Sequence, residues 1–314
     1  MSKNYEECLI DIYELFDYTK FTVLHDEHKI FLCGGLVRDI GSPQTSFRGV
    51  FHQKYSNNSV NFILAEEFKD YDTIGKYKDL FVFENDIAHF SSLILIFLES
   101  PGSLVELGLF CANKAFYKKI VVIIPTMHYS NQNSFICLGP LQFLKGINPD
   151  SVLTFPWNIK KNELPDDHII TTFQDDFNLI LAKLPKTTNF DKNNNAHLCI
   201  LIYEIISLGS PISISEIELS IMALKLDIET NKLYNFLYLL KKFRYIDNHY
   251  YSSTTYYYPL KKTNNLIKFG TGSNGTKYDR VKLTVRLKMT YTDKKTDSQR
   301  KRYTVANNIN QSQS

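Results

Sequence analysis

A chain of 314 residues, 44% hydrophobic and 22% charged, exceeds one typical domain and can bury a sizeable core, so two globular domains are expected. Five cysteines (Cys8, Cys33, Cys111, Cys137, Cys199) fall in no CxxC or CxxH spacing, which argues against a disulfide framework and structural zinc; no apolar run approaches the roughly 18 residues that cross a bilayer, and Met1 to Tyr18 has no cationic start before an apolar core, so a cytoplasmic protein without a membrane segment is predicted. Charge is unevenly laid out: residues 251–314 hold 13 Lys and Arg against 3 Asp, while the first 250 hold 23 basic against 30 acidic residues, which suggests a basic module facing an anionic partner, nucleic acid above all, joined to an acidic body. A solvated lysine-rich tail is the plainer alternative.

Ile10, Ile12, Tyr13, Leu15 and Phe16 recur near helical spacing and predict a leading helix over residues 6–18. Lys29 to Cys33 is a short apolar run closed by Gly34 and Gly35, a first buried strand and its turn. A helix over 43–55 has Pro43 in its first turn, and Asn61 to Ala65 reads as a second strand ending at Glu66. A helix over 79–90 leads to the third strand, Leu93 to Leu98. The tight turn Ser100-Pro101-Gly102 then opens the helix that carries Glu106, and Lys119 to Ile124 is a further strand. Continuously apolar strands separated by helical segments indicate parallel pairing with both faces covered, a doubly wound parallel α/β sheet. Ligands bind such sheets at the carboxyl ends of the strands: Gly34 and Gly35, Glu66, Ser100 to Ser103, and the loop after Ile124.

A helix with Phe173, Phe177, Leu179, Ile180 and Leu181 runs into the Asn-rich stretch 185–195, which reads as a linker. Helices follow over 196–208, 215–224 and 230–243. With residues 245–251, whose Asp247-Asn248 centre suits a tight hairpin, they read as a winged helix-turn-helix in which the third helix is the recognition element. Val281 to Met289 alternates apolar and polar residues strictly; paired with Tyr303 to Val305 across a Lys294-Lys295 turn, it predicts a basic β-hairpin extension, with the last ten residues disordered. The expected domains are therefore 1–184, the linker 185–195, the winged domain 196–262, and the basic extension and tail 263–314.

Glu106 carries two readings. Ser103-Leu104-Val105-Glu106 spells a capping box, in which Glu106 only bonds back to the cap backbone. The same carboxylate, beside free helix N–H groups and a glycine, is placed to attack an anomeric carbon or stabilise an oxocarbenium-like transition state. Gly34 and Gly35 suit either a plain turn or close approach of a ligand phosphate, and the pattern is not GxGxxG. Glu84 and Asn85, early in their helix, either face the crevice and bond a ribose or base, or are simply solvated; Glu66 has the same ambiguity. Eight histidines without HxxxH or HxH spacing predict no metal site, and no GxSxG is present. In the basic extension Lys282, Arg286 and Lys288 would share one strand face and reach successive phosphates, helped by Lys294 and Lys295, while Tyr256, Tyr257 and Tyr258 either stack on unpaired bases or pack on the winged core.

Residues 96–108, Ile-Phe-Leu-Glu-Ser-Pro-Gly-Ser-Leu-Val-Glu-Leu-Gly, resemble the active-site motif of nucleoside 2-deoxyribosyltransferase-like proteins, and more narrowly that of the effector toxins of bacterial retron anti-phage systems. The runs 30–35, Phe83-Glu84-Asn85 and Ser134 to Pro140 support the resemblance in the same order. It implies a deoxyribosyltransferase-like domain in which Glu106 is the nucleophile, Glu84 and Asn85 help bind the sugar, and Gly34 and Gly35 line the pocket; Glu66, Ser100, Gly102 and Ser103, at the carboxyl edge of the sheet, are the further candidates for substrate binding. It further implies cleavage of a nucleotide N-glycosidic bond, with NAD as substrate rather than cofactor, held in check by a reverse transcriptase and its multicopy single-stranded DNA. The reading admits base transfer in place of hydrolysis, and a homo-oligomer or filament. The other class of function compatible with these residues is a non-catalytic nucleotide sensor with a DNA-binding regulatory domain.

Overall fold

The first helix, α1 (Tyr5–Glu14), starts at Asn4, whose side chain accepts from the Glu7 N–H while Glu7 reaches back to the Asn4 N–H. The short strand β1 (Thr22–Leu24) follows. The computed structural model describes residues 3–25, 27–39, 41–55, 60–68, 77–130, 133–159, 163–260, 265–272, 275 and 277–313. It separates the chain into one unit of Asp26–Pro185 and another made of Met1–His25 with Lys186–Ser314. The leading helix expected in the first domain therefore belongs to the other unit.

The α/β unit runs β2 (Lys29–Cys33), α2 (Phe47–Tyr55), β3 (Asn61–Ile63), α3 (Leu80–Phe90), β4 (Leu93–Phe97), α4 (Pro101–Cys111), β5 (Ile120–Pro125), α5 (Thr126–Tyr129), α6 (Gln142–Ile147), β6 (Val152–Phe155) and α7 (Asp167–Lys183). Its strands form one parallel sheet in the order β3-β2-β4-β5-β6, with Ile30 opposite Leu93, Leu95 opposite Val121 and Ile123 opposite Leu153. The order reverses between β2 and β4, which makes the carboxyl ends of those two strands the crevice. β6 was absent from the sequence reading, because Val152-Leu153-Thr154-Phe155 is too short to show a period. So was the helical stretch before it, where Pro140, lacking an N–H, sits in a π-helical turn leading into α6.

Period-two alternation sorts the strand side chains onto two faces. Ile30, Leu32, Leu95, Phe97 and Val121 pack with Phe47 and Phe51 of α2 and Phe173 and Phe177 of α7. On the opposite face Phe31 meets Phe110 of α4, ring centroids 5.8 Å apart. Helices thus cover both faces, as the unbroken apolar strands require. Truncating the fully buried Phe51 would cost about 3–5 kcal/mol.

In the second unit β7 (Thr187–Asn189) pairs antiparallel with β1, Val23 opposite Thr188, and the His25 N–H bonds Lys186 O at 2.9 Å. The chain leaves this unit and returns to it at neighbouring points, so the α/β unit is an insertion between paired strands. Residues 185–195 are accordingly no plain linker: they include β7 and Asn194, the cap of α8 (Asn195–Gly209). Next come β8 (Ile212–Ser213), α9 (Ile214–Ala223), α10 (Thr230–Lys242), β9 (Ile246–Tyr251) and β10 (Thr254–Pro259), the three strands forming an antiparallel sheet in the order β8-β10-β9. The hairpin turns at Ser252 and Ser253, both at positive φ (48° and 65°), and not at Asp247-Asn248, which lies within β9. Tyr256 and Tyr257 are buried, Tyr256 against Val305 and Ile309, so the packed alternative holds for both and they have no free face for bases.

After β11 (Ile267–Lys268) the expected basic hairpin is instead two helices, α11 (Arg280–Thr292) and α12 (Asp297–Gln313). The alternating run 281–289 also satisfies a helix, because Leu287 and Tyr291 lie four residues apart and are both buried. Asp279 caps α11 by accepting from the Lys282 N–H, and the run is rich in strong helix formers. Val305, expected in the second strand of the hairpin, is buried on α12, which also takes up the tail expected to be disordered.

Candidate functional site

The turn after β4 decides what Glu106 is. Ser100, not Ser103, is the N-cap of α4: its Oγ accepts from the Ser103 N–H, and Ser103 Oγ accepts from the Ser100 N–H, both at 3.2 Å. Proline at the first helical position fits this start. Ser103 closes the box itself, so Glu106 is three residues further on and takes no part in capping. The capping alternative for Glu106 is thereby overturned, and its carboxylate is left in the second turn, half-buried and facing other charges.

Those charges come from three neighbouring segments. Burial pushes the Glu106 carboxyl from its ordinary 4.5 up to about 7; the Glu84 carboxylate adds to the rise, Arg48 opposes it, Glu66 adds a little more, and the Cys33 thiol opposes it by hydrogen bonding. Glu84, on α3, is 8% exposed and is likewise pushed up to about 7 by burial and then by Glu66, against Arg48. Cys33 closes β2, and burial holds its thiol well above the usual range, with Glu106 reinforcing the effect. Among the described residues Glu84 has no hydrogen-bond partner. Two acidic groups pushed toward neutrality beside the switch point of a parallel sheet have the chemistry that general acid–base or nucleophilic work requires.

Arg48 is the cation of this cluster. It is 5% exposed, and its two terminal nitrogens reach Glu66 at 2.9 Å each and the Gly35 carbonyl at 3.0 Å. Glu99, just beyond β4, holds the start of the helix that carries it: Oε2 accepts from the Phe47 N–H at 2.8 Å, and Oε1 accepts from Arg48 N–H at 3.0 Å and Gly35 N–H at 3.1 Å. Burial raises the Glu99 carboxyl, and these three backbone hydrogen bonds counter it. Neither Arg48 nor Glu99 was singled out from sequence. The signal for Arg48 was a charge set among Phe47, Phe51 and Tyr55 on one helix; Glu99 merely ends an apolar run and gave none.

Gly34 and Gly35 are both closely packed against the protein. A Cβ on Gly34, at φ +152°, would stand 2.9 Å from Phe97 Cβ and 3.0 Å from Arg48 Cδ, and one on Gly35 would stand 2.7 Å from Ser46 Cβ. The Gly35 N–H is already spent on Glu99. Gly102 is open by contrast, since a Cβ there would meet only Ser100 Oγ at 3.8 Å. Asn85 accepts from the Asn113 side chain at 3.3 Å, and Tyr77 donates to Asp86 at 3.1 Å. The structure therefore brings together Glu106, Glu84 and Glu66, with the Gly34–Gly35 turn bound to the same Arg48, while Ser100 and Ser103 act as the cap.

The expected nucleic-acid residues lie on α11 and the turn after it. In a helix Lys282 and Arg286 share a face, but Lys288 lies about 120° away, so the three do not form one row. Arg286 pairs with Asp11 at 2.8 Å, Lys295 with Asp293 at 3.2 Å, and Lys294 sits 3.6 Å above the Tyr303 ring. Lys282 and Lys288 are exposed and have no ion-pair partner among the described residues.

The model of one protein family, the STM3845 retron effector protein, matches residues 44–248. Two curated relatives from Escherichia coli align with part of the chain. The Retron Ec86 putative ribosyltransferase/DNA-binding protein is 35% identical over 128 residues, 40% of this chain and 39% of the relative. The Retron Ec73 putative ribosyltransferase/DNA-binding protein is 32% identical over 117 residues, 36% of each. The chain thus spans about two fifths of the length of these relatives. Among the described residues no helix is long and apolar enough to cross a membrane.

Proposed function

The chain belongs to the STM3845 retron effector protein family, and from that footing we propose that it is a retron toxin that cleaves the N-glycosidic bond of a nucleotide, NAD foremost, during the response to phage. The α/β unit is read as a nucleoside deoxyribosyltransferase-like catalytic domain, in line with the ribosyltransferase names of its relatives. One observation carries the reading: the Ser100–Ser103 cap leaves the Glu106 carboxylate uncommitted beside a second acidic group, Glu84, at the sheet's crevice.

In the proposed step an oxygen of ionised Glu106 forms a bond to the anomeric carbon while the carbon–nitrogen bond breaks, its electron pair leaving with the base. Nicotinamide leaves NAD neutral and needs no proton; a purine would take one from Glu84. Water then attacks the glycosyl ester, releasing Glu106 and passing its proton to a carboxylate. Glu84 and Asn85 bind the sugar, with Gly34, Gly35, Glu66, Ser100, Gly102 and Ser103 around it. No cofactor is consumed, NAD being the substrate.

The second unit is read as a winged helix-turn-helix with α10 as recognition helix. Lys282, Arg286, Lys288, Lys294 and Lys295 would meet phosphates, through which the retron's reverse transcriptase and msDNA restrain the enzyme. The test is base release from NAD and from a panel of purine and pyrimidine nucleotides, with and without those partners, for the wild type and Glu106→Gln. Release by the wild type and its loss in a folded Glu106→Gln support the reading; no release under any of these conditions overturns it.

A further inference from the structure

With Tyr256 and Tyr257 buried, the helical unit offers a different aromatic surface beside its cations. Between the end of α1 and the start of α11 lies a cavity of about 820 Å³, within the range of small-molecule sites. Ile12, Leu15 and Phe16 line it from one side, and Tyr278, Val281 and Leu283 from the other. Phe16 and Tyr278 are both half-buried, their ring centroids 5.2 Å apart, and Phe16 stacks on Phe269 at 5.0 Å. Tyr278 Oη is itself buried, so the hydroxyl is not what a ligand in the cavity would meet.

The charges around this cavity fall into two groups. Arg280 pairs with Glu204 at 2.6 Å, Arg286 pairs with Asp11 at 2.8 Å, and Asp279 caps α11 by accepting from the Lys282 N–H at 3.0 Å, so these three hold the wall. Lys277 and Lys282 are exposed and have no ion-pair partner among the described residues, which leaves them for an anion. A second cavity, of about 510 Å³, shares Lys282 and Arg286 with the first and continues along Val285 and Met289. An apolar, partly aromatic hollow beside free cations suits a base and its phosphate, and a groove that runs on past one hollow suits a strand better than a single nucleotide. A duplex keeps its bases stacked inside and could use only the cations.

We propose that this cavity receives an unpaired base of a single-stranded nucleic acid, packed on Phe16 and Tyr278, while Lys277 and Lys282 hold the flanking phosphates. The inference deepens the nucleic-acid reading of the helical unit, on which it rests, and is independent of the glycosidic chemistry.

The test measures binding of the full chain to fluorescent oligothymidine at two salt concentrations, with the duplex of oligothymidine and oligoadenine and free thymidine monophosphate as competitors. The strand should bind about tenfold more tightly than the duplex. Phe16→Leu should weaken the strand about tenfold with the salt slope unchanged, whereas Lys277→Gln should lower that slope by roughly one. Should Phe16→Leu fail to fold, a strand carrying 2-aminopurine reads the same contact in the wild type, where binding should quench its fluorescence. Equal affinity for strand and duplex, an unquenched probe, or a folded Phe16→Leu that binds as the wild type does overturns the base site and leaves the phosphate contacts standing. Competition by thymidine monophosphate as effective as that by unlabelled strand overturns the assignment to a strand, and failure to bind any of these probes overturns the nucleic-acid reading as well.

Discussion

In the helical unit Glu216 is buried, accepts from the Ser213 N–H at 2.8 Å and pairs with Arg302, which also donates to Pro211 O and lies 3.6 Å over the Tyr5 ring. Glu204 there accepts from the Leu266 and Ile267 N–H groups and pairs with Arg280 at 2.6 Å. In the α/β unit Arg48 is as deeply buried, yet among the described residues no backbone N–H donates to the Glu84 or Glu106 side chain, and Glu106 has the Cys33 thiol beside it. The same side-chain types therefore do two things. Where each charge has its own partner, the pair fixes packing; where Glu84 and Glu106 are buried without such a partner among the described residues, their protons become exchangeable near neutrality.

The sharpest way to break this contrast is to remove one buried charge from each unit. Glu106→Gln should lower base release by about a thousandfold while its unfolding transition stays cooperative. Arg302→Met should do the reverse, costing about 3–5 kcal/mol in denaturant unfolding because it strands buried Glu216, with turnover per folded molecule unchanged. Similar behaviour in the two variants would erase the distinction.

Stability against pH sharpens it further. Glu84 and Glu106 are raised from 4.5 to about 7 in the folded chain, so the folded state holds protons that the unfolded state has lost. Their contribution is complete below about pH 4.5 and disappears as pH rises through about 7. Above that pH Glu106→Gln should be more stable than the wild type, by on the order of 2 kcal/mol, in urea titrations. Equal stability at pH 8 would mean that Glu106 is solvated. The smallest effect is expected on α11, where Lys282→Gln should reduce the salt slope of single-stranded DNA binding by about one and the already paired Arg286→Gln by less.

Much of the α/β unit was legible because its three central strands, β2, β4 and β5, are unbroken apolar runs buried on both faces, and such runs allow little besides a parallel sheet. The position of Glu106 was legible too, but its role hung on whether Ser100 or Ser103 begins the helix, and both spell acceptable caps. The structure resolves this through Pro101, which suits the first helical position. Two features escaped for physical reasons. The insertion at residue 25 depends on β1 pairing with β7, a contact spanning 163 residues between His25 and Thr188 that leaves no local pattern. The run 281–289 carries two periods at once, and burial of Leu287 and Tyr291 selects the helix over the strand.

The central claim is that Glu106 attacks the sugar, and a covalent trap addresses it directly. The protein is incubated with a 2-fluoro-arabinosyl analogue of the nucleotide that the wild type turns over, digested, and its peptides mapped by mass. The account predicts a single glycosyl ester on Glu106, absent from Glu106→Gln; an adduct on another residue, with Glu106 unmodified, would contradict it.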